Sequence, residues 1–334
     1  MAENTVQDPM LTVSSSPHGE GRATSFRIML DVIISLVPAL VASVVIFGVR
    51  ALILEGVCVA SCVLSEYVSR RIMKKSLSIG DLSAVVTGLL LAFNLPVTTP
   101  VWMAVVGSVA AIVVAKQLFG GIGQNFVNPA IAGRIILLVS FPTAMSSFVA
   151  PFWYKTGDAV STATTLATLG AKGGYDASAL PSLSDMFFGL RGGSLGETCV
   201  LALLIGAAYL MIRRVISPVI PLCFIGSSAL IMLFAGRFDP TFTLYEVMSG
   251  GLILGAFFMA TDYTTSPVST LGKVIFGVGC GVITCVIRLF GSLNEGVSYS
   301  ILILNILTPS IDALTARKPF GYVRKKKEKE AKKA

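Results

Sequence analysis

The chain has 334 residues, of which 54% are hydrophobic and 13% are charged, and its mean hydropathy is +0.80. This composition excludes an ordinary soluble globular protein, and the single histidine, His18, excludes a histidine-based metal site and a Ser-His-Asp triad. The net charge of +8 comes mostly from a basic tail without an aromatic platform, so it indicates membrane topology and not nucleic-acid binding.

Ten apolar segments are candidate transmembrane helices, because about 20 residues rising 1.5 Å each cross roughly 30 Å of hydrocarbon. In chain order they cover approximately residues 28–48, 51–69, 80–95, 101–118, 129–146, 196–213, 216–236, 243–261, 271–290 and 297–315. The third and eighth segments are short and rich in glycine, which leaves nine as an alternative count. The sequence therefore predicts an all-α integral membrane protein with about ten transmembrane helices.

The segments divide the chain into five parts. These are a cytoplasmic N-terminal segment (1–27), a first membrane half (28–146), an extracytoplasmic loop (147–195), a second membrane half (196–315) and a basic cytoplasmic tail (316–334). The N-terminal segment is polar and contains no cleavable signal peptide, so we expect both termini in the cytoplasm. This orientation places twenty of the 26 Lys and Arg residues inside, nine of them in the tail, as the positive-inside rule requires.

Two stretches of the chain resemble each other in sequence. "GDLSAVVTGLLLAFNLPVTTPV" from Gly80 and "YEVMSGGLILGAFFMATDYTTSPV" from Tyr245 both begin near an acidic residue and end in a Thr-rich turn closed by proline. Because the copies are displaced by five segments, they cross the bilayer in opposite senses, which predicts a 5+5 inverted repeat with ligand sites where the repeats meet. The alternative is a chance similarity between two short apolar helices.

Four ionisable residues lie at or just inside the ends of predicted helices. For Glu55, Asp81 and Arg134 we expect side chains that snorkel to the membrane surface. Asp262 is the exception, because it follows a largely apolar segment and opens the proline-broken stretch "TDYTTSP". A carboxylate among hydroxyls at that place predicts a contribution to a cavity for a ligand or an ion.

Hydroxyl side chains crowd the loop stretch "DAVSTATTLATL" from Asp158 to Leu169. By composition alone this is an ordinary solvated loop. The six cysteines form no CxxC pair and are interpreted as small buried hydrophobic residues.

Five stretches together resemble the RnfD/NqrB family, which comprises membrane subunits of the Rnf ferredoxin:NAD oxidoreductase and of the sodium-pumping NADH:quinone reductase. They are "VSSSPH" from Val13, "FRIMLDVIISLVPAL" from Phe26, "GGIGQNFVNPAIAGR" from Gly120, "DAVSTATTLA" from Asp158 and "ATDYTTSP" from Ala260. The resemblance covers nearly the whole chain. A longer N-terminal extension is expected of the NqrB branch, which favours the RnfD branch.

The resemblance implies covalent FMN on the loop. In the family, the last threonine of an S-(G/T)-A-T motif is esterified to the FMN phosphate by a flavin transferase, and that threonine is Thr164 here. Thr162 and Thr165 stand where Gly and Pro are common, so they and Ser161 remain competing hydroxyls, with Asp158 in the same loop. The loop is thus expected to be an extracytoplasmic flavin-carrying loop.

The resemblance also implies a second flavin, riboflavin, held without a covalent bond in the membrane domain. Asn125 and Asn128 match positions associated with that site, and their amides can pair with the polar edge of a flavin. The alternative is that Asn128 only caps a helix that begins at Pro129. Asp262 is a further candidate for this cavity.

The implied function is that of a flavin-carrying subunit in a complex that passes electrons between ferredoxin and NAD and transports Na+ or H+. The chain has no GxGxxG motif and no cysteine cluster, so iron–sulfur and nucleotide sites are expected in partner Rnf subunits and little activity is expected alone. The expected location is the cytoplasmic (inner) membrane of a prokaryote. The alternatives are an NqrB-like subunit, or a solute transporter or channel on the same scaffold.

Overall fold

The computed structural model describes residues 24–76, 78–156, 161–169, 180–291 and 295–316, and these are mostly helical. A 3-10 turn at Ile79–Asp81 precedes the third helix of the first half, and the fourth helix continues as a π-helix over Ala110–Gln117. The helices of the first half are α1 (Ser25–Phe47), α2 (Val49–Ile72), α3 (Ser83–Phe93), α4 (Val101–Val109) and α5 (Pro129–Ser140).

The second half begins after a loop of short elements and also contains a π-helix, Gly255–Met259, which continues its fourth helix. The loop elements are α6 (Pro142–Met145), β1 (Phe148–Val149), α7 (Trp153–Thr156), β2 (Ser161–Thr162), α8 (Thr165–Leu169) and α9 (Leu183–Phe188). The later helices are α10 (Val200–Ile212), α11 (Val219–Ala235), α12 (Pro240–Met248), α13 (Leu252–Leu254), α14 (Thr270–Phe290) and α15 (Val297–Thr315). Strands β1 and β2 pair antiparallel, a small departure from the predicted all-α fold.

Among the described residues, four helices are long and apolar enough to cross a membrane by themselves: α1, α2, α14 and α15. The α12 helix and the helix Leu252–Met259 form a fifth candidate, bent by 64°. Five shorter apolar helices accompany them, so every predicted segment contains an apolar helix and the chain is a multi-pass membrane protein. The number of full crossings stays a prediction.

Two predicted helix ends are wrong. The segment predicted to reach residue 146 ends at Ser140, because the chain turns at Phe141 and Pro142 begins a separate short helix. The segment predicted from residue 196 becomes helical only at Val200. Before it, the Leu195 N–H donates to the Leu95 carbonyl at 3.0 Å, so this irregular backbone is satisfied inside the protein.

The two halves pack against each other through α1 and α10 and through α5 and α15. A Cβ at Gly206 of α10 would lie 2.0 Å from the Ser35 carbonyl oxygen of α1, so the glycine is what allows this close approach. Within each half, α2 packs on α3 and α4, and α11 packs on α14. One hydrophobic core, with Leu36, Phe224 and Phe276 fully buried, extends across both halves.

The loop between the halves covers the C-terminal end of α1. The Phe152 N–H donates to the Ile46 carbonyl at 2.8 Å, and the Tyr154 hydroxyl donates to the Val45 carbonyl at 3.0 Å. Ile28 lies near the other end of α1, about 27 Å away at 1.5 Å per residue. Features beside Ile28 and features in the loop are therefore at opposite ends of the molecule.

Candidate functional site

A pocket that is partly open to solvent lies between the two halves near the N-terminal end of α1. Leu90 of α3 and Phe257 and Phe258 of the second π-helix form part of its apolar wall. Its polar wall includes Ser83, Lys116, Asn125, Asn128, Asp262 and Thr264. The structure therefore brings together the three residues that the sequence predicted for one cavity, Asn125, Asn128 and Asp262.

Asn125 and Asp262 are joined across the two halves through Thr264. The Asn125 amide donates to the Thr264 hydroxyl at 3.1 Å, and that hydroxyl donates to Asp262 Oδ2 at 2.9 Å. The Thr264 N–H also donates to Asp262 Oδ1 at 3.3 Å, and the Thr265 hydroxyl donates to Oδ2 at 3.4 Å. The "TDYTTSP" stretch thus folds around its own carboxylate and presents it to the cavity.

Asn128 fulfils the capping role and also lines the cavity. Its Oδ1 accepts from the N–H of Ala130 at 3.0 Å, the bond expected of a residue that caps α5. Its amide nitrogen donates to the Met259 carbonyl of the second half at 3.2 Å. Asn128 therefore caps α5, and the same side chain fixes the N-terminal end of α5 against the opposite half.

Lys116 and its partners form a buried network that the sequence did not predict. The Lys116 ammonium donates to Glu66 Oε2 at 2.9 Å and to the Ser83 hydroxyl at 2.6 Å. Glu66 Oε1 accepts from the Gln117 amide at 3.0 Å and from the Ser78 hydroxyl at 2.5 Å. The sequence marks Lys116 only as a basic residue near the cytoplasmic surface, because its partner lies 50 positions away in the chain.

Two of the three snorkelling predictions are wrong. Arg134 is buried, donates to Asn94 Oδ1 at 2.6 Å and pairs with Glu295 of the second half. Glu55 is also buried and accepts a 2.5 Å hydrogen bond from Ser43 on α1. Asp81 is half-buried in the turn before α3, where it accepts from the Ser83 N–H at 2.8 Å, and its snorkelling stays a prediction.

Further buried charges lie between the cavity and the loop. Glu246 and Arg288 form an ion pair at 3.0 Å, and Arg191 donates to the Glu197 carbonyl at 3.0 Å. A Cβ at Gly250 would lie 3.1 Å from Arg288 Nη2 and 2.6 Å from Leu166 of α8, so this charge cluster reaches the underside of the loop. Sequence reasoning missed these pairs because their partners come from distant segments.

In the hydroxyl-rich loop, Thr164 is partly exposed and its hydroxyl accepts from the Ala167 N–H at 3.3 Å at the start of α8. Thr165 is buried, and the Thr162 hydroxyl is buried and finds no hydrogen-bond partner within the described part of the chain. Asp158 and the side chain of Ser161 lie outside the described residues.

The six cysteines are unpaired, and the described residues contain no cluster of three or more potential metal ligands.

These features define a multi-pass membrane protein with a partly open cavity between two helical halves and a loop at the opposite end. Residues 12–321 match the sequence model of the NQR2, RnfD, RnfE family, and the chain belongs to that family.

Three relatives are similar over nearly their full lengths. The D subunit of the Na(+)-translocating ferredoxin:NAD(+) oxidoreductase complex of Acetobacterium woodii is 48% identical, over 96% of this chain and 98% of the relative. The D subunit of the proton-translocating ferredoxin:NAD(+) oxidoreductase complex of Clostridium ljungdahlii is 40% identical, over 96% and 99%. The D subunit of an ion-translocating oxidoreductase complex of Stutzerimonas stutzeri is 36% identical, over 90% and 93%.

Proposed function

We propose that this chain is the flavin-carrying D subunit, set in the membrane, of a ferredoxin:NAD oxidoreductase complex that couples electron transfer to Na+ or H+ transport. The observation that carries the proposal is the similarity to D subunits along nearly the whole chain. The missing iron–sulfur and nucleotide motifs fit a chain that receives electrons from partner Rnf chains. Its place is the cytoplasmic (inner) membrane, with both termini in the cytoplasm.

Thr164 carries FMN through a phosphoester bond in this proposal. Its partly exposed hydroxyl is open to a flavin transferase, whereas burial withdraws Thr165 and the Thr162 hydroxyl from such an enzyme. Ala163, next to it, is exposed and small, so it does not obstruct the approach. The attached flavin would supply one- and two-electron redox chemistry, and the threonyl link would keep it at the extracytoplasmic end.

The cavity holds riboflavin without a covalent bond in this proposal. The support is chemical: a flavin ring has apolar faces and a polar edge, and the cavity offers Phe257 and Phe258 beside the amides of Asn125 and Asn128. The Asp262 loop closes the polar side. The two flavins would then lie at opposite ends of the membrane domain.

We further propose that the two halves are a 5+5 inverted repeat. In each half the residue before "LFG", Gln117 or Arg288, bonds to a buried glutamate. The α2–α4 packing of the first half has a counterpart in the α11–α14 packing of the second. Such repeats place ligands at their interface, which is where the cavity lies.

The mass of the intact, denatured protein tests the covalent part of the proposal. We expect the mass of the chain plus FMN, less one water, when the protein is produced together with its flavin transferase. Protein produced without the transferase is the control and should show the mass of the chain alone. A mass without this increment under both conditions would refute covalent FMN and leave the family assignment intact.

A further inference from the structure

Lys116 is a buried lysine, and one of its three N–H donors has no hydrogen-bond partner among the described residues. Its side chain is 3% exposed, yet it lies in the wall of the cavity between the halves. An ammonium group has three N–H donors, and within the described residues two of them are used, by Glu66 and by Ser83. The third is available to a ligand in the cavity.

Glu66 holds the lysine in place and offsets its charge. It is fully buried on α2, and both of its oxygens accept hydrogen bonds, from Lys116 on one side and from Gln117 and Ser78 on the other. The π-helical end of α4 brings the consecutive residues Lys116 and Gln117 to the same carboxylate. Such π-helical turns are often found at functional sites.

The acidic residue of the cavity lining, Asp262, lies on the wall opposite Lys116. Asp262 comes from the second half, and its carboxylate already accepts hydrogen bonds from the Thr264 and Thr265 hydroxyls and from the Thr264 N–H. Lys116 is therefore the cationic group that the cavity wall offers to an acceptor atom. A cation in a site shielded from water favours the more negative of two states of a bound molecule.

We propose that the Lys116 ammonium binds the electron-rich acceptor edge of a planar redox-active heterocycle in the cavity. Glu66, its ion-pair partner, partly neutralises the lysine charge and so weakens its effect on the ligand. The inference rests on the proposed non-covalent flavin site and names the group that distinguishes the reduced ligand from the oxidised one. Because the reduced ligand carries more negative charge at its acceptor edge, Lys116 should bind the reduced form more tightly.

The test measures the dissociation constants of oxidised and reduced riboflavin by anaerobic equilibrium dialysis against the full-length protein in detergent. Extractable flavin is removed beforehand, and the readout is the ratio of the two constants. Lys116→Met should reduce the preference for the reduced form about tenfold, which corresponds to ~30 mV for the two-electron couple of oxidised and fully reduced riboflavin. Glu66→Gln should increase the preference, because the lysine charge is then no longer offset.

Opposite shifts in the two variants are the signature that a purely structural role would not produce. Lys116→Arg keeps the cation and should retain most of the preference, and Lys75→Met, at an exposed lysine of the same half, should leave the ratio unchanged. Since Lys116→Met alone buries an unpaired carboxylate, the double variant with Glu66→Gln provides a neutral pair that should fold. It should show the same loss of preference as Lys116→Met.

An unchanged ratio in the folded double variant would overturn the role of Lys116 while riboflavin binding, and hence the proposed site, stands. If the unmodified protein binds neither form of riboflavin, both this inference and the non-covalent part of the proposed function fail. The mass measurement on Thr164 would still decide the covalent part separately.

Discussion

Arg134 of the first half and Glu295 of the second half form an ion pair inside the protein. The arginine side chain is 6% exposed and the glutamate side chain 17% exposed, and the arginine also donates to Asn94 at the end of α3. One residue of α5 thus ties the C-terminal end of α3 to the segment that precedes α15. The Arg134–Glu295 pair therefore links the two halves directly.

Removing one partner of this pair should destabilise the protein strongly. Arg134→Met leaves the Glu295 carboxylate largely buried without its cation, and breaking a buried pair in this way costs about 3–5 kcal/mol. Thermal unfolding in detergent measures the loss. Arg213→Met is the matched control, because Arg213 pairs with Asp31 but its side chain is 56% exposed. Equal effects of the two substitutions would mean that the Arg134 pair is not a buried anchor.

The sequence predicts where the apolar helices lie better than what joins them. Hydrophobic runs and proline or glycine breaks located all ten segments, because helix formation in a membrane depends on local composition. Asn125 and Asn128 were assigned to a cavity by the family resemblance, and Asp262 by its place at a proline-broken helix end between the repeats. The Glu66–Lys116 pair and the buried backbone around Gly196 were not predictable, since each depends on contacts between segments far apart in the chain.

Asp262→Asn should preserve folding and lower ion transport or flavin reduction in membrane vesicles. The amide can keep one acceptor for the Thr264 hydroxyl, but the carboxylate charge at the cavity is lost. Thr264→Val is the comparison, because it removes the hydroxyl that joins Asn125 to Asp262 and retains the charge. A larger loss is expected in Asp262→Asn. Full activity in that variant would remove Asp262 from the mechanism.

Opposite membrane sides are expected for the loop and for the turn after α2. Ser184 in the loop and Ser76 after α2 are both exposed, so each can carry a single cysteine in a cysteine-free background. In intact cells an impermeant maleimide should label Ser184→Cys only, and Ser76→Cys should react after the cells are opened. Labelling of both positions from outside would show that the predicted topology is wrong.

The choice of flavin attachment residue depends on which loop hydroxyl is accessible. Thr162, Thr164 and Thr165 lie within four consecutive positions, so composition alone does not distinguish them. The motif selects Thr164, and the structure leaves its side chain partly exposed. The Thr165 side chain is buried. The Thr162 hydroxyl points into the protein, because it lies only 2.4 Å from where a Cβ on Gly192 would stand.

Thr164→Val should abolish the covalent flavin while the loop still folds, because valine has nearly the shape of threonine and lacks the nucleophilic oxygen. After denaturing electrophoresis, the unmodified protein should fluoresce under ultraviolet light and the Thr164→Val band should be dark. Thr162→Val and Thr165→Val are the matched controls and should stay fluorescent. A dark Thr165→Val band beside a fluorescent Thr164→Val band would move the attachment by one residue. Fluorescence in all three variants would exclude these threonines as the attachment site and leave Ser161 to be tested in the same way.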